Sequence, residues 1–328
     1  MLTAKCPAEG NRMSQTLVPF TQDHLAPAVA LFIEAYRQEQ AASPLLPARA
    51  IDEPGWISEE LHSCLDSPGV AVVEEGQLAA YMLTGPQFDW KGQRCALVPE
   101  FCHSATRAQK QTLIQSMYMH LAQEWVDRGI HIHLIGHLAH DTILQETLYQ
   151  LGFGAILAER LRDLSDVHVR DDVTIIEEHD MSRLVELDLE HTGYYPKSPI
   201  FLPKPTDEHQ AQAGLEAHIA QGDVIFVHYD QGQPCAYITV GTSKADGEGF
   251  LLRDTNTAQI KGAYARPAYR GRGIGTALLQ RAIQWAQQHE YERLFVEHET
   301  ANVHGGNFWR RHFTPYVHYS MRYVDNTL

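Results

Sequence analysis

The stretch Arg270-Gly271-Arg272-Gly273-Ile274-Gly275-Thr276 constrains this chain most, because it lies between an apolar strand-like run, 259–265, and a long amphipathic run, 275–290. Leu278, Leu279, Ala282, Ile283 and Ala286 recur at helical spacing, so the second run is a helix with one apolar stripe. Glycines at alternate positions let backbone N–H groups converge with no side chain between them, and the helix that follows adds its positive N-terminal end. This combination is a cradle for a pyrophosphate. It is not the dinucleotide fingerprint, which needs a glycine where Thr276 stands, and it is not a P-loop, because no Gly-Lys-Ser/Thr follows.

A chain of 328 residues is long for one domain and comfortable for two. Its longest apolar runs, such as Val70-Ala71-Val72-Val73 and Val224-Ile225-Phe226-Val227, are strand-sized, which excludes a helical membrane span. The net charge of -15 argues against nucleic acid and anionic lipid as partners, since both are held by Lys and Arg on phosphate, and it suits a cationic acceptor. Five cysteines form an odd set with no Cys-x-x-Cys spacing, so neither a disulfide framework nor a zinc site is expected, and a reducing cytoplasm is. Lys5 and Arg12 have no apolar core between them, so the first residues do not read as a secretory or transit signal.

Element order points to a duplication. The second half reads as a strand at 173–176, a helix at 179–191, and a helix capped by Thr206 and running to 220. A hairpin of 223–228 with 236–240 follows, then the 259–265 strand, the loop and helix, a strand at 292–297, a helix at 305–312 and a terminal strand ending at Tyr323. The first half repeats this order with helices at 24–40 and 57–65, strands at 70–73, 78–83 and 94–98, a helix at 105–126 and a strand at 130–135. Its next helix ends in Leu148-Tyr149-Gln150-Leu151-Gly152-Phe153, which is similar to Phe308-Trp309-Arg310-Arg311-His312-Phe313. The predicted fold is α/β in the mixed α+β sense: two tandem domains at 17–166 and 171–328, each a mostly antiparallel sheet flanked by helices, behind a flexible extension at 1–16.

Arg270 to Gly275, preceded by Pro267 and a strand and followed by an apolar helix, resembles the acyl-CoA signature of the GNAT N-acetyltransferase superfamily. The resemblance covers most of the second half and makes the first half a degenerate copy. It implies that the loop amides of Gly271, Arg272, Gly273, Ile274, Gly275 and Thr276, together with Arg270, hold the pyrophosphate of acetyl-CoA. It implies that Ala263, Tyr264 and Ala265 pair with the pantetheine arm and thioester carbonyl. By the same resemblance Asn302 and Trp309 lie beside the cofactor, and Glu297 is the general base that frees the amine. Trp309 stands where many members carry a tyrosine, and its indole N–H only donates, so the general acid is sought among Tyr316, Tyr319 and His298. The implied activity is acetyl transfer from acetyl-CoA to a primary amine of a small molecule by direct attack. The alternatives are a CoA-binding sensor without transfer activity, or acyl transfer to a protein terminus or a hydroxyl.

Three segments carry expectations of their own. His131, His133, His137 and His140 place two imidazoles on one strand face and two a helical turn apart, a spacing that matches no closed zinc site; no metal is expected, and a role lining an interdomain cleft is left open. The first-half counterpart of the cradle, Pro99 to Thr106, has no glycine and carries Glu100, so it is not expected to bind CoA. The segment 192–199, with Tyr194 and Tyr195, reads as a lid over the acceptor. A monomer or a homodimer fits the sequence equally.

Overall fold

The computed structural model describes residues 15–243, 251–252 and 254–327. The first half runs β1 (Gln15–Pro19), α1 (Leu25–Ala42), α2 (Arg49–Asp52), α3 (Gly55–Ser63), β2 (Gly69–Glu74), β3 (Gln77–Leu83), β4 (Phe88–Trp90), β5 (Gln93–Val98), β6 (His103–Ala105), α4 (Lys110–Asp127), β7 (Ile132–Leu138), α5 (Thr142–Gln150) and β8 (Gly154–Asp163). The second half runs β9 (Ile176–Glu177), α6 (Val185–Thr192), α7 (Glu208–Ala220), β10 (Val224–Asp230), β11 (Gln233–Thr242), β12 (Thr257–Ala265), α8 (Ile274–Gln288), β13 (Arg293–Glu299), α9 (Val303–His312) and β14 (Thr314–Tyr323).

Local chemistry moves several predicted boundaries. Of the expected flexible extension, residues 1–14 lie outside the described residues, but Gln15 and Thr16 already pair with Glu74 and Val73 in β1. Asp207, not Thr206, caps α7: its carboxylate accepts from Gln210 N at 2.8 Å while Gln210 Oε1 accepts from Asp207 N at 3.1 Å, a closed capping box. The helix expected from 105 starts only at Lys110, because residues 103–105 pair with β3 as a strand.

The halves do not separate in space as they do in sequence. The larger sheet runs β4-β5-β7-β14-β8-β13-β12-β11-β10-β9. The last strand of each half is therefore exchanged: β8 pairs antiparallel with β13, β14 pairs antiparallel with β7, and the two exchanged strands pair with each other in the middle. A smaller sheet, β1-β2-β3-β6, covers the first half. The exchange also mixes the cores. Phe295 of β13 and Tyr316, Val317, Tyr319 and Met321 of β14 pack into the cluster built by α1, α4 and β7, whereas Leu294 and Val296 face α8. A third, smaller cluster joins Leu184 and Leu187 to Leu215, Val227 and Tyr237 beneath α6 and α7.

Candidate active site

The site begins with a bend in β12. Its parallel ladder with β13 runs from Thr257 opposite Arg293 to Ile260 opposite Val296 and stops there, while its ladder with β11 continues to Ala265. The β11 register skips Lys261, an extra residue of the kind that bends a strand away from its neighbour. Lys261 is pinned to the buried Asp223 carboxylate at 2.6 Å, and His218 bonds the same carboxylate at 2.8 Å. Past the bulge, β12 and β13 diverge and leave between them a cavity of about 580 Å³.

The glycine loop closes one end of this cavity. Gly271 (φ +72°) and Gly273 (φ +85°) both take the left-handed backbone, and Gly273 is the N-cap of α8. A Cβ at Gly271 would meet no atom within 4 Å, whereas one at Gly273 would come within 3.1 Å of Arg170 Cδ and one at Gly275 within 3.3 Å of Phe308 Cε2. Arg270 Nε donates to the Ala265 carbonyl at 2.9 Å, tying the loop back to the strand, and its guanidinium lies over the rings of Tyr194 (5.3 Å) and Tyr264 (5.7 Å). Arg272 stacks on Tyr269 at 5.3 Å. Ile274 points into the core and contributes backbone only, whereas Thr276 and Ala263, Tyr264 and Ala265 line the cavity. Main-chain donors at a helix N-terminus fit the pyrophosphate of an acyl-CoA.

Along the far wall, Glu297 and Glu299 sit two residues apart on β13 and both line the cavity. Burial raises the Glu299 carboxyl above its ordinary value, against the opposing pull of its backbone hydrogen bond, Lys204, Lys91 and the Tyr195 hydroxyl. Sequence reasoning missed Glu299, although strand alternation from Glu297 would have found it. His298 also borders the cavity, but its ring is committed: Nε2 accepts from Arg160 Nε at 2.9 Å, which leaves Nδ1 to donate to the Glu299 carbonyl at 2.9 Å. Burial lowers it to about 4. His298 is thus neutral, and its one ring proton is held by the Glu299 carbonyl and not offered to a leaving group, contrary to the role sought for it.

Asn302 lines the cavity as the cap of α9, its Oδ1 accepting from Gly305 N at 3.0 Å and from the Tyr194 hydroxyl at 3.4 Å. Trp309 forms a wall, packed edge-on against Phe308 (4.9 Å) and Phe313 (5.5 Å). Tyr316 is not in the cavity. The strand exchange carries it into the first-half core, where its hydroxyl accepts from Leu45 N at 3.2 Å, and Tyr319 is buried there too with its hydroxyl on Glu100. Neither tyrosine reaches the cleft as a general acid.

Of the histidine run, His133 and His137 are buried, whereas His140 is exposed. His133 meets the Tyr118 hydroxyl at 2.9 Å, His137 lies in β7 and not in a helix and meets Ser320 Oγ at 3.3 Å, and His140 bonds Glu39 at 2.8 Å. Among the described residues no group of three or more His, Cys, Asp or Glu is arranged to hold a metal ion. In the first half β5 and β7 repeat the parallel relation of β12 and β13, from Cys95 opposite Ile132 to Val98 opposite Ile135. Here the space past the ladder is filled by the protein itself: Glu100, Phe101 and Cys102 are buried, and His103 Nε2 donates to the Gly136 carbonyl at 2.7 Å.

Residues 185–313, which carry the bulge, the cradle and the β13 wall, match the Acetyltransferase (GNAT) family. The second half carries a GNAT domain. Streptothricin acetyltransferase A of Bacillus subtilis (strain 168) is 35% identical over 108 residues, a match that spans 33% of this chain and 54% of that protein. The GNAT fold extends to the first half as well. A GCN5-related N-acetyltransferase from Sphaerobacter thermophilus superimposes over 94% of this chain and 95% of its own with a TM-score of 0.58 at 14% identity. The GCN5-related glucosamine N-acetyltransferase region of a fungal multi-domain β-N-acetylglucosaminidase covers 94% of this chain and 38% of its own with a TM-score of 0.53 at 10% identity. At such identities the likeness is one of fold. Among the described residues no helix is long and apolar enough to cross a membrane.

Proposed function

We propose that this GNAT domain transfers an acetyl group from acetyl-CoA to a primary amine of a small molecule by direct attack in the cleft between β12 and β13. The observation that carries this is the departure of β12 from β13 after Ile260, on a strand that leads directly into a glycine cradle. The amides of Gly271 to Thr276 would hold the pyrophosphate, and the free edge of residues 263–265 would take the pantetheine arm. Bound there, acetyl-CoA supplies the activated acyl group, and holding both reactants in one cleft supplies much of the rate.

The chain's own work is on the acceptor. An ammonium cannot attack, so a carboxylate must take its proton, and Glu297 and Glu299 face the cleft for this. Desolvation of Glu299 brings its carboxyl closer to neutral pH, where proton transfer is most efficient. With Tyr316 buried and His298 committed, the departing thiolate takes its proton from solvent. The likeness to streptothricin acetyltransferase A supports acetyl transfer to a small molecule. Cys64, Cys95, Cys102 and Cys235 are free and buried, which supports a reducing, cytoplasmic setting.

Steady CoA release, followed with a thiol reagent over a panel of amines, tests the activity. Glu297→Gln and Glu299→Gln are then compared. At least one should lower kcat by about 100-fold, the usual contribution of general base catalysis, with acetyl-CoA affinity kept. Full activity in both variants would remove the carboxylates from the mechanism, and no CoA release with any amine would leave a CoA-binding sensor.

A further inference from the structure

A hydrogen-bonded chain runs from α6 into the cleft and is not accounted for by cofactor binding or by the carboxylates. Asp188 and His191 are one turn apart on α6, and Tyr237 reaches them from β11. The Tyr237 hydroxyl donates to Asp188 Oδ1 at 2.7 Å, and the hydroxyl oxygen lies 2.8 Å from His191 Nδ1. His191 itself lies 4.0 Å from Asp188, too far for a direct hydrogen bond, so the phenol is the link.

The chemistry of the three groups fixes the direction of every proton. A carboxylate only accepts, so the one phenolic proton goes to Asp188 and the Tyr237 oxygen is left as an acceptor. Burial raises Tyr237 well above its ordinary value, so the phenol stays protonated. His191 Nδ1 must therefore carry the ring proton, and Nε2 is left with its lone pair. Burial, reinforced by Lys204, lowers His191 to about 3, which keeps the ring neutral. His191 lines the cavity, stacked on Tyr264 with centroids 5.5 Å apart and planes at 25°. Tyr264 is the middle of the three residues whose edge would face the thioester, so the imidazole borders the same cavity as that edge.

We propose that His191 holds the incoming amine: its Nε2, fixed as an acceptor by the Asp188–Tyr237 link, takes one N–H of the amine and turns the nitrogen lone pair toward the acyl carbon. As the new C–N bond forms and the C–S bond breaks, the proton shed by nitrogen goes to the carboxylates of β13, not to this ring. This rests on the acyl-transfer function proposed above. It makes His191 a substrate-binding group, with Tyr237 and Asp188 as positioning residues.

The test has two arms. Nitrogen-15 correlation spectra of the imidazoles, with His191 assigned by its loss in His191→Ala, should show the Nδ1–H tautomer in the wild type and a tautomer mixture in Tyr237→Phe. Kinetics with putrescine, tyramine and lysine amide as acceptors should show KM for the active amine raised about tenfold in His191→Ala, the size of one lost hydrogen bond. His191→Gln, which restores an acceptor, should recover part of the loss. Calorimetric affinity for acetyl-CoA should stay within twofold of the wild type in each variant. An Nε2–H tautomer in the wild type, or an amine KM unchanged in His191→Ala while the wild type turns over, overturns this inference and leaves the acyl-transfer function standing. Absence of CoA release in the wild type overturns both.

Discussion

Acidification is expected to unfold this protein well before its carboxylates are neutralised. Burial holds His103, His133, His137 and His298 down to about 4 from the ordinary 6.5. Their side chains are packed among the two cores, each at 6% exposure or less. The unfolded chain takes up protons on these rings as pH falls through 6.5, while the folded chain takes up none until about 4. Stability is therefore complete above the upper value and is lost across that window, by about 1.4 kcal/mol per pH unit for each ring. Four such rings together lose an amount comparable to the roughly 5–15 kcal/mol of a typical domain. Denaturant midpoints measured at about pH 7.5 and about pH 5 should differ severalfold more than one titrating histidine allows. A midpoint that stays level over this range would mean that these rings are not held neutral by burial.

The second large effect concerns the exchanged strands. Residues 171–328 contain the whole GNAT match, yet expressed alone they should fail to fold. Without the first half, β13 loses β8 and becomes an open edge, and β14 loses both of its ladder partners, β7 and β8. Phe295, Tyr316, Val317, Tyr319 and Met321 would lose the cluster that buries them, at about 1.5–3 kcal/mol for each large apolar side chain. Exposed edges with apolar faces are also templates for aggregation. Near-ultraviolet circular dichroism and sedimentation of the fragment should report aggregates or a chain without fixed tertiary structure. A soluble, cooperatively unfolding monomer would contradict the central role given to the exchange.

Such exchange leaves no mark in local sequence, which is why it was not legible. Periodicity located β13 and β14 as strands, but an apolar alternation does not say which chain segment will lie beside it. The misplacement of Tyr316 follows from the same gap: proximity in sequence to α9 suggested the cleft, whereas pairing with β7 carries the ring into the other core. What could be read were features complete within a short segment. The glycine loop needs only its own backbone and the helix after it, and Gly271, Gly273 and Thr276 line the cavity. Glu297 was named through the resemblance and Glu299 was not, although both line the cavity from one strand. His191 depends on a hydroxyl contributed by β11, a contact no window around residue 191 contains.

The most direct measurement of the central claim is calorimetric titration of acetyl-CoA into the full chain and into Gly273→Glu. The substitution puts a side chain on a left-handed residue and a carboxylate into the cradle, where a Cβ alone would come within 3.1 Å of Arg170 Cδ. The expected result is one site per chain in the wild type and no measurable binding in the variant, since the first-half space is filled by its own residues. No binding to the wild type, or binding that Gly273→Glu leaves intact, would contradict the placement of an acyl-CoA between β12 and β13.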